Sequence, residues 1–332
     1  MHQAIRKQLL FFSLLIVGYE KRFENMSYIC FDVGGTAIKH ALITKDGIIL
    51  KQNQFPTNHG GKDEFIDSLI IVIKEYEKED VIEGIGLSFP GVVDPDSGIS
   101  VSAGALYSLY EENIKKELHE QTNYLVTIEN DANCALLAEK FNGKATTDKD
   151  VLLVTIGTGI GGALMVQDHV IHGHQFKAGE FGMMRIDFGQ QPHTTLHELA
   201  STSALVRFYK EAKSISLETV IDAREIFVEM DKDPIVTRVV NRWIDYLVTG
   251  IFNMVVFMNP EKVLIGGGIS SNPKLIPLIR TALAKNPHWI DFEVPIDSCQ
   301  HQNNAGILGA LYCLLEEKKK IEETKLFLKS SV

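Results

Sequence analysis

Cysteine is scarce in this chain of 332 residues. The four that occur lie far apart and form no C-x-x-C or C-x-C pair; they are Cys30, Cys134, Cys299 and Cys313. Their spacing indicates neither a disulfide framework nor a cysteine zinc cluster, because both need paired or closely spaced thiols. This cysteine usage is consistent with a reducing compartment, so we expect the protein in the cytoplasm.

The chain also lacks a block of basic residues. Its formal net charge is −10, with 33 lysines and arginines against 43 aspartates and glutamates. Proteins that bind nucleic acid or an anionic membrane use clustered positive charge, so we expect neither as a partner and favour a small polar ligand. Apolar residues make up 45% of the chain, which allows a large core, and the length favours two domains over one.

Long hydrophobic runs are missing apart from Leu9–Gly18, which resembles the apolar part of a signal peptide. It is too short to span a bilayer, no small-residue cleavage site follows it, and the charged stretch 21–24 comes next. We expect residues 1–25 to be an extension outside the fold, read from a start codon upstream of Met26 and dispensable for catalysis. An interfacial amphipathic segment is the alternative.

Two glycine-rich turns of one design are present. Asp32–Thr36 (DVGGT) and Ile156–Gly162 (IGTGIGG) each lie between two apolar, β-branched runs, which predicts a tight hairpin between strands. Glycine allows close approach of a ligand, and Thr36 and Thr158 add hydroxyl donors beside backbone N–H groups, which suits a phosphate. A hairpin that needs glycine for geometry alone is the alternative for either turn. Because the design is repeated, we favour a duplicated domain and a phosphoryl-transfer enzyme.

Two other nucleotide-binding motifs are excluded. Residues 157–162 match G-x-G-x-x-G formally, but that motif must open a helix, whereas residues 163–170 have the pattern of a strand. A Walker A loop is missing, since no glycine precedes a Lys-Ser or Lys-Thr pair at the required spacing. The nucleotide must therefore be held in another way.

The rest of the pattern alternates strands and helices. Apolar spacing predicts helices over 64–76, 113–121, 134–141, 196–213, 234–258, 273–284 and 305–317, and strands over 82–89, 124–128 and the start of 262–270. The long helix 234–258 is expected to be buried in its own lobe. Asp131 lies where a strand ends and a helix begins, and such junctions in α/β sheets are where ligands usually bind.

Six motifs in order resemble those of the ROK family of sugar kinases and repressors, within the actin-like ATPase superfamily. They are Asp32–Thr36, Ser88–Gly91, Glu129–Asn133, Ile156–Gly162, Ala178–Gly182 and Gly266–Gly268. The resemblance runs from Met26 to Leu315 and implies an α/β fold of two ribonuclease-H-like domains, of the actin and hexokinase type, around a central cleft. We expect one lobe over 26–140 with the helix 305–317, a second over 141–304, and a charged tail over 318–332.

In that family the Asp of the E-N-D-A-N motif is the general base, and the resemblance gives this role to Asp131. A hydroxyl is a poor nucleophile at neutral pH, so a carboxylate that accepts its proton assists its attack on the γ-phosphate of ATP. The alternative is that Asp131 only caps the helix that follows.

The resemblance also implies a nucleotide site. Asp32 would order Mg²⁺ through water, and magnesium would neutralise the developing charge. The implied phosphate contacts are Gly34, Gly35, Thr36, Lys39, Thr158 and Gly159. The third glycine turn, Gly266, Gly267 and Gly268, would contact the adenosine.

On the sugar side the resemblance implies contacts from Gly91, Asn130, Asp131 and Glu180, since amides and carboxylates match the hydroxyls of a polyol. This chain departs from the family at two positions. Met183 replaces the usual His, and His197 stands near the position of a family Glu. Met removes a hydrogen-bonding group beside the anomeric oxygen and adds a flexible apolar surface, where an aglycone could lie.

The cysteine-rich zinc motif of the family is replaced by residues 189–197, so we predict no structural zinc. Four histidines stand in or near this region, namely His172, His174, His193 and His197. Without thiolates and with irregular spacing, they are predicted to be ordinary loop histidines.

The stretches 129–134 and 176–184 most resemble the β-glucoside kinase branch, which phosphorylates the 6-hydroxyl of glucosides such as cellobiose. A glucokinase, fructokinase or N-acetylmannosamine kinase is the alternative, because a few pocket residues decide the sugar. A ROK repressor would need a winged helix-turn-helix ahead of the first glycine turn, but the 31 residues before Asp32 lack a basic face. A homodimer is expected from family analogy alone.

Overall fold

The computed structural model describes residues 26–187, 189 and 194–330. The predictions for residues 1–25 and for His193 lie outside the described residues. The chain forms two units: the first runs through Asp131 and includes the chain from Ala310 onward, and the second is Ala132–Gly309.

The first unit is built on a five-stranded sheet in the order β3-β2-β1-β4-β5. Its strands are β1 (Met26–Val33), β2 (Ala37–Thr44), β3 (Ile49–Pro56), β4 (Val81–Phe89) and β5 (Val126–Asn130). The first three are antiparallel, whereas β4 runs parallel to β1, and β5 parallel to β4.

The second unit repeats this plan in a sheet of order β10-β9-β6-β7-β8. Its strands are β6 (Val151–Ile156), β7 (Ile160–Val166), β8 (His169–Val170), β9 (Lys262–Gly266) and β10 (Ile296–Ser298). Here too the first three strands are antiparallel, and β9 and β10 continue the sheet in parallel from β6. The predicted duplication and α/β fold are therefore confirmed.

Nine α-helices accompany the sheets within the described residues. They are α1 (Lys62–Tyr76), α2 (Ile114–Thr122), α3 (Asp131–Asn142), α4 (Leu196–Ala200), α5 (Thr202–Lys213), α6 (Ala223–Glu229), α7 (Pro234–Met258), α8 (Leu275–Leu283) and α9 (Ala305–Ser330). None of these helices has an apolar stretch that would reach across a bilayer.

Each unit has its own core. In the first, Phe65 of α1 packs edge-on against Phe89 of β4, and both side chains are fully buried. In the second, Trp243 of α7 packs edge-on against Phe227 and donates its indole N–H to Ser201 O at 2.9 Å. The predicted burial of the long helix within its own half of the chain is confirmed.

Two helix predictions differ from the structure. The helix predicted over 196–213 is broken at Ser201, which is extended and caps α5 by accepting a hydrogen bond from Ala204 N at 3.1 Å. The last helix does not stop at residue 317, so the predicted tail is helical through Ser330. Lys318 holds this extension to the sheet, since its ammonium lies 2.6 Å from the Glu83 carboxylate.

The division between the two units falls inside α3, after Asp131, and inside α9, before Ala310. In α9, Gly309 lies against the backbone of Cys134 in the second unit, whereas Leu314 lies against Gly84 in the first. The helices therefore cross the boundary instead of ending at it.

Candidate active site

Residues from three of the six motifs line up at one edge of the first sheet. Asp32, Ser88 and Glu129 form a row across β1, β4 and β5, because Ser88 is the register partner of both other residues. Neighbouring strands are about 4.8 Å apart, so the backbones of Asp32 and Glu129 are roughly 10 Å apart. Asn130 and Asp131 follow Glu129 directly, which brings both predicted functional carboxylates to the carboxyl edge of the parallel strands.

Asp32 is oriented by two side chains. Its Oδ2 lies 3.2 Å from Lys39 Nζ, and its Oδ1 accepts a hydrogen bond from Ser88 Oγ at 3.2 Å. The side chain is 20% exposed. A single partly exposed carboxylate fits Mg²⁺ held through water, because this ion keeps several of its waters and takes few protein ligands. Ser88 was not assigned a role from the sequence, although it opens one of the six motifs.

The first glycine turn is held by its own backbone and by Thr57. Gly34 N–H donates to Ala37 O at 3.1 Å, while Thr57 Oγ1 donates to Gly34 O at 2.6 Å and Thr57 N–H donates to Thr36 O at 3.0 Å. Gly35 and Thr36 are exposed. These hydrogen bonds hold the backbone of the turn in place, while its exposed tip is accessible to a ligand. Thr57 was missed because it follows β3, a strand that the sequence did not reveal.

Asp131 is the first residue of α3, at the end of β5, which confirms the predicted strand-to-helix junction. The amide of Asn130 donates to Asp131 Oδ1 at 3.0 Å and to Gly91 O at 2.7 Å. Gly91 has a φ of +85°, and a Cβ there would collide with Ser102 O. Asn130 therefore contacts both Gly91 and Asp131.

In the second unit, two glycine turns lie together at the carboxyl edge of β6 and β9. Gly157 N–H donates to Gly159 O at 2.9 Å, and Thr158 is exposed at the tip. Gly267 has a φ of +85° and packs so closely on Ile156 that a Cβ would collide with the Ile156 carbonyl. Thr158, Gly159 and the third turn over 266–268 are thus neighbours.

His197 joins this group. Its ring lies against Gly159, where an added Cβ would collide with it, and its Cβ is 3.5 Å from the position of a Cβ on Gly182. Gly182 belongs to the 3-10 turn Phe181–Met183, which Glu180 precedes. Glu180 is exposed and Met183 is 70% exposed. The structure therefore brings the predicted sugar contacts of the second unit beside the second glycine turn.

A hollow in the second unit opens beside Thr158 and His197. Its lining includes Arg207 and Arg242, whose guanidinium carbons each lie 4.9 Å from the centre of the Phe208 ring. Glu198 and Glu211 also line the hollow, so charges of both signs lie next to the predicted phosphate contact. Neither arginine was identified from the sequence, because they lie on different helices and only the fold brings them together.

No group of three or more His, Cys, Asp or Glu side chains in the described ranges, which omit His193, could hold a metal ion. The absence of structural zinc stays a prediction. His172 is half-buried, whereas His174 and His197 are exposed.

Comparison with known proteins identifies the family. The model of the ROK family matches residues 28–317. A β-glucoside kinase of Listeria innocua is 35% identical over 310 residues, which cover 90% of this chain and 100% of the relative. A glucokinase of Halalkalibacterium halodurans is 30% identical over 326 residues, covering 89% and 97%.

A solved structure of a ROK family protein from Streptococcus pneumoniae, in complex with sucrose, is also similar. Its TM-score is 0.79 at 28% sequence identity, and the match covers 89% of this chain and 100% of that one. The fold, the six motifs and these relatives agree. The chain therefore belongs to the ROK family, and it is a carbohydrate kinase that uses ATP as phosphoryl donor.

Proposed function

We propose that this kinase phosphorylates the 6-hydroxyl of a β-glucoside, with Asp131 as general base. The contact between Asn130 and Asp131 carries the proposal, because it fixes one oxygen of an exposed carboxylate at the start of a helix. A carboxylate so placed can accept the proton of a sugar hydroxyl while that oxygen attacks the γ-phosphate. Gly91 and Asn130 would position the sugar ring.

Each unit carries a glycine turn that would suit a phosphate. Gly35 and Thr36 offer backbone and hydroxyl donors in the first unit, where the Gly34 N–H is used within the turn, and Thr158 and Gly159 offer them in the second. Lys39 adds positive charge beside the first turn, which suits a triphosphate. Asp32 would hold Mg²⁺ through water, and the bound ion would neutralise charge on the transferred phosphoryl group.

The choice of a glucoside over a free sugar rests on Met183 and on the relatives. Met183 is 70% exposed where the resemblance expects a histidine that binds the sugar near its anomeric carbon. A thioether cannot donate a hydrogen bond to a free anomeric hydroxyl, but it can pack against an apolar or ring-shaped aglycone. Glu180 and His197 would supply the remaining polar contacts on that side.

A substrate panel tests this choice. We expect kcat/KM for cellobiose and arbutin to exceed kcat/KM for glucose, fructose and N-acetylmannosamine, each assayed with ATP and Mg²⁺. Equal or better turnover of free glucose or N-acetylmannosamine would overturn the glucoside assignment and favour the alternative kinases. The homodimer and the cytoplasmic location stay predictions.

A further inference from the structure

Two exposed aromatic rings lie on the loop that follows β4, in the same unit as Asp131. The Tyr107 side chain is 76% exposed and that of Tyr110 is 39% exposed. Their ring centroids are 5.6 Å apart, with an angle of 46° between the planes. A single exposed aromatic residue needs no explanation, but two adjacent rings, tilted against each other, form an aromatic patch that suits a ring-shaped ligand.

Both tyrosine rings stay exposed because other side chains of the loop are buried and anchor it. Ala103, Leu106 and Leu109 are 0–1% exposed and anchor the segment in the core. Residues 107–109 form a 3-10 turn, in which side chains three positions apart point in the same direction. This geometry places Tyr107 and Tyr110 on one side, and the buried leucines keep the rings from collapsing onto the core.

A chain of short contacts connects the two rings to the general base. Asn130, which holds Asp131, donates to Gly91 O at 2.7 Å. Gly91 in turn lies against Gly104, since a Cβ on Gly91 would be 2.8 Å from Gly104 N. The Tyr110 hydroxyl donates to Gly104 O at 3.1 Å. This bond fixes the Tyr110 ring close to the residues that would bind the sugar.

The same loop borders the first glycine turn. A Cβ added to Gly35 would lie 3.6 Å from the Ala105 Cβ, which is ordinary van der Waals contact. The loop thus lies beside both the predicted phosphate contacts and the predicted sugar contacts of the first unit. A substrate longer than one sugar ring has an aromatic surface within this unit on which to rest.

We propose that Tyr107 and Tyr110 form an aglycone platform, against which the second sugar ring or aryl group of a β-glucoside stacks. The inference rests on the proposed function, because it takes the glucose ring to lie at Asn130 and Asp131. Aromatic faces attract the C–H face of a pyranose and stack offset on a phenyl ring, whereas a methyl aglycone offers no such surface. The platform therefore selects for ring-bearing glucosides.

The test compares two substrates that differ only in the aglycone. KM for arbutin is expected to rise roughly tenfold in Tyr107→Ala, with kcat within about twofold of wild type, because the lost contact is made equally in the ground and transition states. KM for methyl β-glucoside is expected to stay within about twofold. Tyr107→Phe keeps the ring face and should restore KM for arbutin.

Phe257→Ala provides the control, because this side chain is 89% exposed and lies in the other unit. Equal KM changes for both substrates, or none in the Tyr107→Ala, Tyr110→Ala double variant, would overturn the platform and leave the glucoside assignment intact. If the wild-type protein turned over no glucoside at all, both proposals would be wrong.

Discussion

Replacing Glu139 with glutamine is predicted to destabilise the second unit by about 3–5 kcal/mol. Glu139 lies in α3 and is fully buried. Its Oε1 accepts hydrogen bonds from Gln300 N at 2.7 Å and from His301 N at 3.0 Å, and its Oε2 accepts one from Lys144 N at 2.9 Å. The carboxylate thus ties the helix that begins at Asp131 to the segment before α9.

The magnitude follows from those three bonds. A glutamine can accept from only one side, so two bonds to a charged acceptor become neutral and lose about 1 kcal/mol each. Its amide NH₂ faces the third donor, and that buried N–H then lacks an acceptor, which costs about 1–3 kcal/mol more. The substitution keeps the shape of the side chain, so no cavity contributes to the loss.

Urea unfolding followed by tryptophan fluorescence measures the effect, because Trp243 and Trp289 both belong to the second unit. Glu120→Gln is the matched control. Glu120 is 58% exposed and lies 3.7 Å from Lys116, so the control should change stability by less than about 0.5 kcal/mol. A Glu139→Gln protein as stable as this control would refute the reasoning.

Three further predictions follow from contacts in the first unit. Ser88→Ala removes the hydrogen bond to Asp32 Oδ1, so kcat/KM for ATP should fall about tenfold while thermal stability changes little; an unchanged value would contradict the orienting role. Gly91→Ala adds a Cβ at a φ of +85°, and we expect about 1–3 kcal/mol less stability and at least tenfold lower activity, measured by thermal unfolding and kinetics. Burial lowers the pKa of His40, whose Nδ1 lies 2.8 Å from Tyr76 Oη. The unfolded state therefore binds more protons than the folded state, and the free energy of unfolding should fall as the pH drops below 6.5. His40→Gln should reduce that loss in urea unfolding between about pH 5 and 7, and an unaltered pH dependence would exclude His40 as its source.

The sequence predicted those parts of the fold whose pattern is local. The glycine turns, the junction at Asp131 and the helix over 234–258 each have a clear apolar period or a turn signal. The strand β3 does not, because most of its residues are exposed and the centre of its sequence, ILKQNQFP, is a run of four polar residues. Strands β8 and β10 have two and three residues, too few for any period.

The site could likewise be predicted only in part, because local patterns reveal some of its residues and not others. Asp32 and Asp131 stand out because each follows an apolar run at a glycine turn or a helix start. Ser88 contacts Asp32 from 56 positions away along the chain, and Thr57 contacts Gly34 from 23 positions away. No local pattern encodes such contacts, since they depend on which strands become neighbours in the sheet.

The turnover of Asp131→Asn tests the central claim most directly. Asparagine keeps the shape of the side chain but cannot accept the proton of the hydroxyl, so kcat with ATP and cellobiose should fall by about 10²–10⁴. The dissociation constant for cellobiose, measured by calorimetry, should change by less than about fivefold, because the ring contacts remain. Asp67→Asn, on the exposed face of α1, is the control and should keep wild-type activity.

If Asp131→Asn kept kcat within tenfold of that of the Asp67→Asn control, Asp131 would not be the general base.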